Sequence, residues 1–186
     1  VVSQSAIGAT LGDDSVALAL KALLFGVLLV VVFMVAYYGL SGLVADLALL
    51  MNLFLMISLL SALNFTLTLA SIAGIVLTLG MAIDANVIIY ERMKEEKAKG
   101  EEGFVVVKSG FSRAFWTIMD SNVTTIIAAA VLIVLGSSSV KGFAVTLAVG
   151  IGCSLFTALL LSHLIFDLFI SEENGRQVHI GWRKNR

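Results

Sequence analysis

The sequence predicts an all-α, polytopic membrane bundle of five transmembrane helices, and three observations carry that prediction. The chain is 59% hydrophobic and only 13% charged, with a mean hydropathy of +1.03. A soluble domain is about 45–50% apolar and about 25% charged, so a soluble globular reading is excluded. The apolar residues gather in five runs, each as long as the ~20 residues that a bilayer core requires. No proline occurs anywhere, so any break in a helix must use glycine, and Gly74 and Gly80 are the candidates. Little sequence remains for a soluble catalytic domain. The single cysteine, Cys153, lies within an apolar run and reads as a small buried hydrophobe; a disulfide within the chain is impossible. The first residue is Val1 rather than methionine, which reads as a fragment or a processed chain, and no signal peptide is recognisable.

Taken in order, residues 1–15 read as an external segment leading to the membrane, and 16–170 as the transmembrane domain. The spans fall at about 16–38, 43–63, 67–90, 115–135 and 142–170. Each crosses ~30 Å of hydrocarbon at ~1.5 Å per residue, the last with surplus for tilt or an interfacial turn. Residues 38–42, 64–66 and 136–141 are tight turns, so the helices they join pack antiparallel. Residues 91–114 form a true loop, and 171–186 a polar tail.

Lysine and arginine set the orientation. Arg92, Lys94, Lys97, Lys99, Lys108 and Arg113 lie in the loop, and Arg176, Arg183, Lys184 and Arg186 in the tail. Only Lys21 and Lys141 fall toward the other side. An N-terminus outside and a C-terminus inside fits an odd number of spans. Tyr37, Tyr38, Tyr90 and Trp116 then all sit at cytoplasmic helix ends, where an aromatic belt belongs. Residues 91–99 continue the third helix into water, with Glu95 and Lys99 at the favourable i,i+4 spacing. Gly100 and Gly103 interrupt it. Phe104, Val107 and Phe111 recur at helical spacing, as either a short amphipathic helix on the inner membrane surface or a solvated linker with one apolar side.

Function is sought where polar groups sit within the apolar runs. An acid at the centre of a spanning helix costs about 2.5–3.5 kcal/mol on insertion scales, and such residues face a partner or a water-filled path. Asp84 lies inside the third span and Asp120 inside the fourth. These spans are antiparallel neighbours, so the two carboxyls share a depth in the inner half of the bilayer. Thr78, Asn86, Ser121, Asn122, Thr124 and Thr125 surround them in sequence. Desolvation disfavours the charged form of a carboxyl, and a group tuned in this way can take a proton from one side and release it to the other. The plain alternative is that these residues join helices by hydrogen bonds. Asn52 reads as such interhelical glue, and Asp46 as hydrated near the inner interface. His163 and Asp167 stand at i,i+4 on the last span, able to pair or to be satisfied locally. Ala144, Ala148 and Gly152 form a small-residue packing stripe.

Gly80-Met81-Ala82-Ile83-Asp84-Ala85-Asn86-Val87, followed by Tyr90-Glu91-Arg92, resembles the SecD signature of the SecD/SecF protein-export family. Ile7-Gly8-Ala9-Thr10-Leu11-Gly12 resembles the segment leading into the second helix of those proteins. Ile72-Ala73-Gly74-Ile75-Val76-Leu77-Thr78 precedes the signature as it does there, and Asp120-Ser121-Asn122-Val123-Thr124-Thr125 resembles their Asp-Ala-Asn-Ile-Thr-Thr motif. Lys141-Gly142-Phe143-Ala144 and Phe156-Thr157-Ala158 match the entrance and middle of the last helix. The resemblance covers nearly the whole chain, in order.

The resemblance implies half of a resistance–nodulation–division-type transmembrane domain, specifically the second to sixth of six SecD helices. It further implies a large external domain between the first two helices, and work with SecF and the SecYEG channel to drive exported preproteins across the bacterial or archaeal inner membrane on an ion gradient. Asp84 matches the family's intramembrane ion-coupling acid, opposite an acid from SecF; Asn86, Asp120, Asn122, Thr124 and Thr125 would shape the hydrated path. No enzymatic activity, cofactor, metal or nucleic-acid partner is implied; the surrounding partner is membrane lipid. Two departures stand out. Ala70-Ser71 replaces a common Pro-Gly, which removes a proline bend, and His163 replaces a usual arginine. The rival readings are a docking module for SecF and the channel, a drug or lipid exporter of the same superfamily, and an intramembrane aspartyl protease. The last lacks its Gly-x-Gly-Asp and Tyr-Asp motifs, since Met81-Ala82-Ile83-Asp84 and Ile118-Met119-Asp120 stand there instead.

Overall fold

A computed structural model describes residues 2–170 and 180–181, with side chains from residue 14 onward. The described residues form helices α1 (Val2–Tyr38), α2 (Leu40–Ala62), α3 (Leu69–Ala98), α4 (Gly103–Leu135) and α5 (Ser138–Leu155). A π-helical turn (Phe156–Leu161) carries α5 directly into α6 (Ser162–Phe169). Five helical stretches are long and apolar enough to cross a membrane: Asp14–Tyr38, Leu40–Ala62, Leu69–Ala98, Gly103–Leu135 and Ser138–Phe169. These are the five predicted spans. The helix of α1 also runs through much of the stretch read as a leading segment, and the tail beyond Ile170 lies outside the described residues except for Ile180 and Gly181.

α3 is the organising element, packed against α1, α2, α4 and α5. Its closest partner is α5, and the sequence arranges the approach reciprocally. A Cβ on Gly74 would run into the Thr146 hydroxyl, and a Cβ on Gly150 into the Thr78 side chain. Each helix thus offers one glycine notch and one threonine, four residues apart, so the backbones close together as small residues allow in membranes. Both threonine hydroxyls are satisfied along their own helices, Thr78 donating to Ile75 O at 2.9 Å and Thr146 to Phe143 O at 2.8 Å.

Several expectations are corrected here. Gly74 and Gly80 break nothing, because α3 is one continuous helix. Gly74 serves close approach instead, and Gly80 faces open space. Among the described residues the irregular helical turn comes without glycine, in Phe156–Leu161, where Thr157 donates its hydroxyl to Cys153 O at 3.0 Å. In the small-residue stripe, Gly152 meets nothing within 4 Å; the contact belongs to Gly150. At Ala70-Ser71 the helix start is set by a cap. Thr68 Oγ1 accepts the Ser71 backbone N–H at 3.2 Å and fixes the start of α3.

The loop also differs from its reading. α4 starts at Gly103 and is ~50 Å long at 1.5 Å per residue, so the segment around Val107 is its first turns and no separate surface helix exists. Val106 and Val107 are buried, and Gly110 fits against Met93 of α3. The apolar face is therefore spent on α3, whose extension past the membrane stands beside it. Glu95 pairs with Arg92 at 2.8 Å, and Lys99 with Glu96 at 2.6 Å, an i,i+3 choice in both cases. Burial of Glu96 decides it, because that carboxylate also takes Arg113 of α4 at 3.2 Å and so serves two helices.

At the same end, Lys94 Nζ lies 2.8 Å from Glu91 and 4.3 and 4.4 Å from the ring centres of Tyr37 and Tyr38. Tyr38 donates its hydroxyl to Glu91 at 2.9 Å. This joins the end of α1 to α3 through Glu91 of the Tyr-Glu-Arg that follows the signature. Replacing Lys94 by methionine keeps the stem and removes the charge. It should lower stability by about 0.5–1 kcal/mol, the worth of a partly exposed cation–π contact, measured as a shifted thermal midpoint in detergent.

Candidate functional site

The helical period sorts the candidate residues of α3 onto two faces. Thr78, Ala82, Asn86 and Tyr90 point into the bundle, while Ala73, Val76, Leu77, Gly80 and Asp84 line the opposite, exposed face. Asn86 is 1% exposed. Its Nδ2 donates to Ala82 O at 3.2 Å, and its Oδ1 accepts the Ser162 hydroxyl at 2.9 Å. Asp84, two residues earlier, faces outward from the chain. Among the described residues its carboxylate has no hydrogen bond and no ion pair.

On α4 the same division holds. Asp120, Ser121 and Thr124 are exposed and Asn122 is buried. Thr124 and Thr125 donate their hydroxyls to Asp120 O and Ser121 O, at 3.1 and 3.0 Å. Asn122 donates to Ile118 O at 2.7 Å, which leaves its Oδ1 buried with no partner among the described residues. An unpaired buried acceptor costs about 1–3 kcal/mol. No hydrogen bond among the described residues links the polar set of α3 to that of α4. The two acids are outward groups of one surface each, and the described residues enclose neither.

Two further polar residues of α2 are buried, Asp46 against expectation. Asp46 is 6% exposed with neither oxygen hydrogen-bonded, and Asn52 is fully buried with its amide unpartnered among the described residues. Their register on α2, shared with Ala45, Leu49 and Met56, turns them into the bundle. Among the described residues Asn52 makes no interhelical hydrogen bond of the kind expected, and Asp46 is turned into the bundle rather than out to an interface. His163 does pair with Asp167, its Nδ1 at 3.2 Å from Oδ2, and it meets the Phe111 ring edge-on at 4.5 Å.

Ser162 was invisible in the sequence reading. A serine in an apolar helix ordinarily bonds back to its own chain, and nothing local marks a partner 76 positions away. The π-helical turn before it, a feature frequent at functional sites, widens the helix and presents the hydroxyl to Asn86. Changing Ser162 to alanine should destabilise the protein by about 0.6–1.7 kcal/mol, the range for a hydrogen bond between membrane helices, while Ser162→Thr keeps the donor. Equal thermal midpoints for the alanine and threonine variants would remove Ser162 from the site.

These features define a multi-pass membrane protein with an acid on the exposed face of its central helix. The family model described as protein export membrane protein SecD/SecF, C-terminal, matches residues 1–172. Protein translocase subunit SecD of Treponema pallidum is 49% identical over 183 residues, 98% of this chain and 31% of that protein. The SecD subunit of Acidaminococcus fermentans is 52% identical over 170 residues, 91% of this chain and 41% of that protein. The crystal structure of SecDF, a translocon-associated membrane protein from Thermus thermophilus, superposes with a TM-score of 0.85 at 40% identity, over 94% of this chain and 24% of that one. The chain belongs to the SecD/SecF family. It spans about a third of the length of the curated relatives it matches.

Proposed function

We propose that this chain is the transmembrane half of a SecD-type export subunit, in which Asp84 takes up and releases the coupling ion that drives protein translocation. The observation that carries the reading is an unpaired carboxylate, on the exposed face of the most packed helix, within a protein-export family. A charged group at that depth requires a partner or water. Among the described residues no partner reaches it, which supports a second subunit, SecF, closing over the face. Asn86, held from behind by Ser162, stiffens the turn that carries Asp84; Asp120, Asn122, Thr124 and Thr125 border the ion's route. The SecYEG channel and exported preproteins are the further partners of this reading. It is a transport role with no catalytic group.

The orientation belongs to the same proposal, with the N-terminus outside and residues 91–114 and the tail in the cytoplasm. Lys99→Cys in a Cys153→Ser background should react with a membrane-impermeant maleimide only in inverted vesicles; labelling in right-side-out cells would reverse the topology. The docking-module reading draws on the same exposed face, since Gly80 leaves room there for a partner helix. Asp84→Asn separates the two readings, because a docking role survives loss of the charge and a coupling role does not.

A further inference from the structure

Away from the Asp84 face, α4 and the end of the last span enclose an open groove of about 750 Å³. Its lining is graded in polarity. Toward the loop end stand Lys108 and Ser112 of α4 and His163 of α6, while toward the membrane centre stand Phe115, Trp116, Leu155 and Phe156. α4 runs away from the loop and α5–α6 returns to it, so the polar residues of both helices fall at the same end. Lys108 and Trp116 are eight residues apart, ~12 Å along the helix. A pocket polar at one end and apolar over its remaining length matches an amphiphile whose headgroup sits at the interface.

Charge selects the kind of amphiphile. The neighbouring cations are engaged: Arg92 by Glu95, Lys94 by Glu91, and Lys99 and Arg113 by Glu96. Beside the groove, Asp167 Oδ2 lies 3.2 Å from His163 Nδ1. Lys108 makes no ion pair among the described residues, so its ammonium is available to an anionic headgroup at the groove mouth. Basic pockets between membrane helices hold acidic lipid headgroups, and Trp116, 76% exposed, stands on the wall as an interfacial aromatic does.

We infer that this groove binds one anionic phospholipid, its phosphate against Lys108 and Ser112 and an acyl chain along Trp116, Phe156 and Leu160. The site is separate from the acid of α3 and stands whether or not Asp84 moves an ion. Trp116 makes it measurable. With Trp182→Phe, Trp116 is the only tryptophan of the full chain, and its quenching by dibrominated lipid reports occupancy. In phosphatidylcholine vesicles, a minor fraction of dibrominated phosphatidylglycerol should associate about fivefold more strongly than dibrominated phosphatidylcholine, the factor expected of one lysine near an anionic headgroup. Lys108→Gln should bring that ratio to about one, and Lys108→Arg should keep it. Equal quenching by both lipids, a ratio that survives Lys108→Gln, or no quenching by either lipid would each overturn the site.

Discussion

Asp84→Asn is expected to abolish gradient-dependent export while the protein remains in the membrane. The assay is translocation of a reporter preprotein into inverted vesicles, with and without collapse of the ion gradient. The expected result is a rate that no longer responds to the gradient. The size of the effect follows from the charge. One proton crossing 100 mV yields about 2.3 kcal/mol, enough to bias a two-state helix rearrangement about fiftyfold. Asparagine keeps the shape and most hydrogen bonding of the side chain but binds no proton, so that bias vanishes. Asp84→Glu should retain part of the response. Normal gradient-driven export by the asparagine variant would end the motor reading and leave docking in its place. The same measurement at varied pH and sodium concentration identifies the ion.

The second large effect is structural. Gly150→Val and Gly74→Val each drive a branched side chain into a threonine on the facing helix. Overpacking of this kind costs about 1–3 kcal/mol per site, and here the obstruction is the Thr78 or Thr146 side chain, already fixed by bonds to its own backbone. Both variants should lower the thermal midpoint by several degrees. Their effects should combine less than additively, because either one already separates α3 from α5. Gly152→Ala and Gly80→Ala, at positions open within the chain, should leave the midpoint unchanged. A larger residue such as leucine at Gly80 is expected to spare the chain's stability and, on the reading proposed above, to impair association with SecF. Loss of stability in Gly152→Ala would restore the stripe through Ala144 and Ala148 as the packing seam.

Legibility differed by residue for reasons of range. The five spans follow from hydropathy because the bilayer imposes a length on any helix that crosses it. The signature around Asp84 was readable because an acid in an apolar run is costly wherever the chain folds. Which way each polar group turns was not readable. Asp46 looked like an interfacial residue from its distance to the loop, yet the register of α2 buries it. Gly152 and Gly150 are equally small, and only the position of Thr78 on α3 shows which of them is used. The pairing of Glu96 with both Lys99 and Arg113 required α4 to stand beside α3, which no i,i+4 rule within one helix anticipates.

Composition and spacing by themselves therefore determined that the chain is helical, membrane-embedded and acidic at two costly positions, since each of these is a property of a segment in its solvent. Tertiary structure decided the rest: that Asp84 lies on the outside of the chain while Asn86 is clamped by Ser162, and that a π-helical turn without glycine makes that clamp. These depend on how far one helix is rotated and shifted against another. That relation is set by packing between residues far apart in sequence.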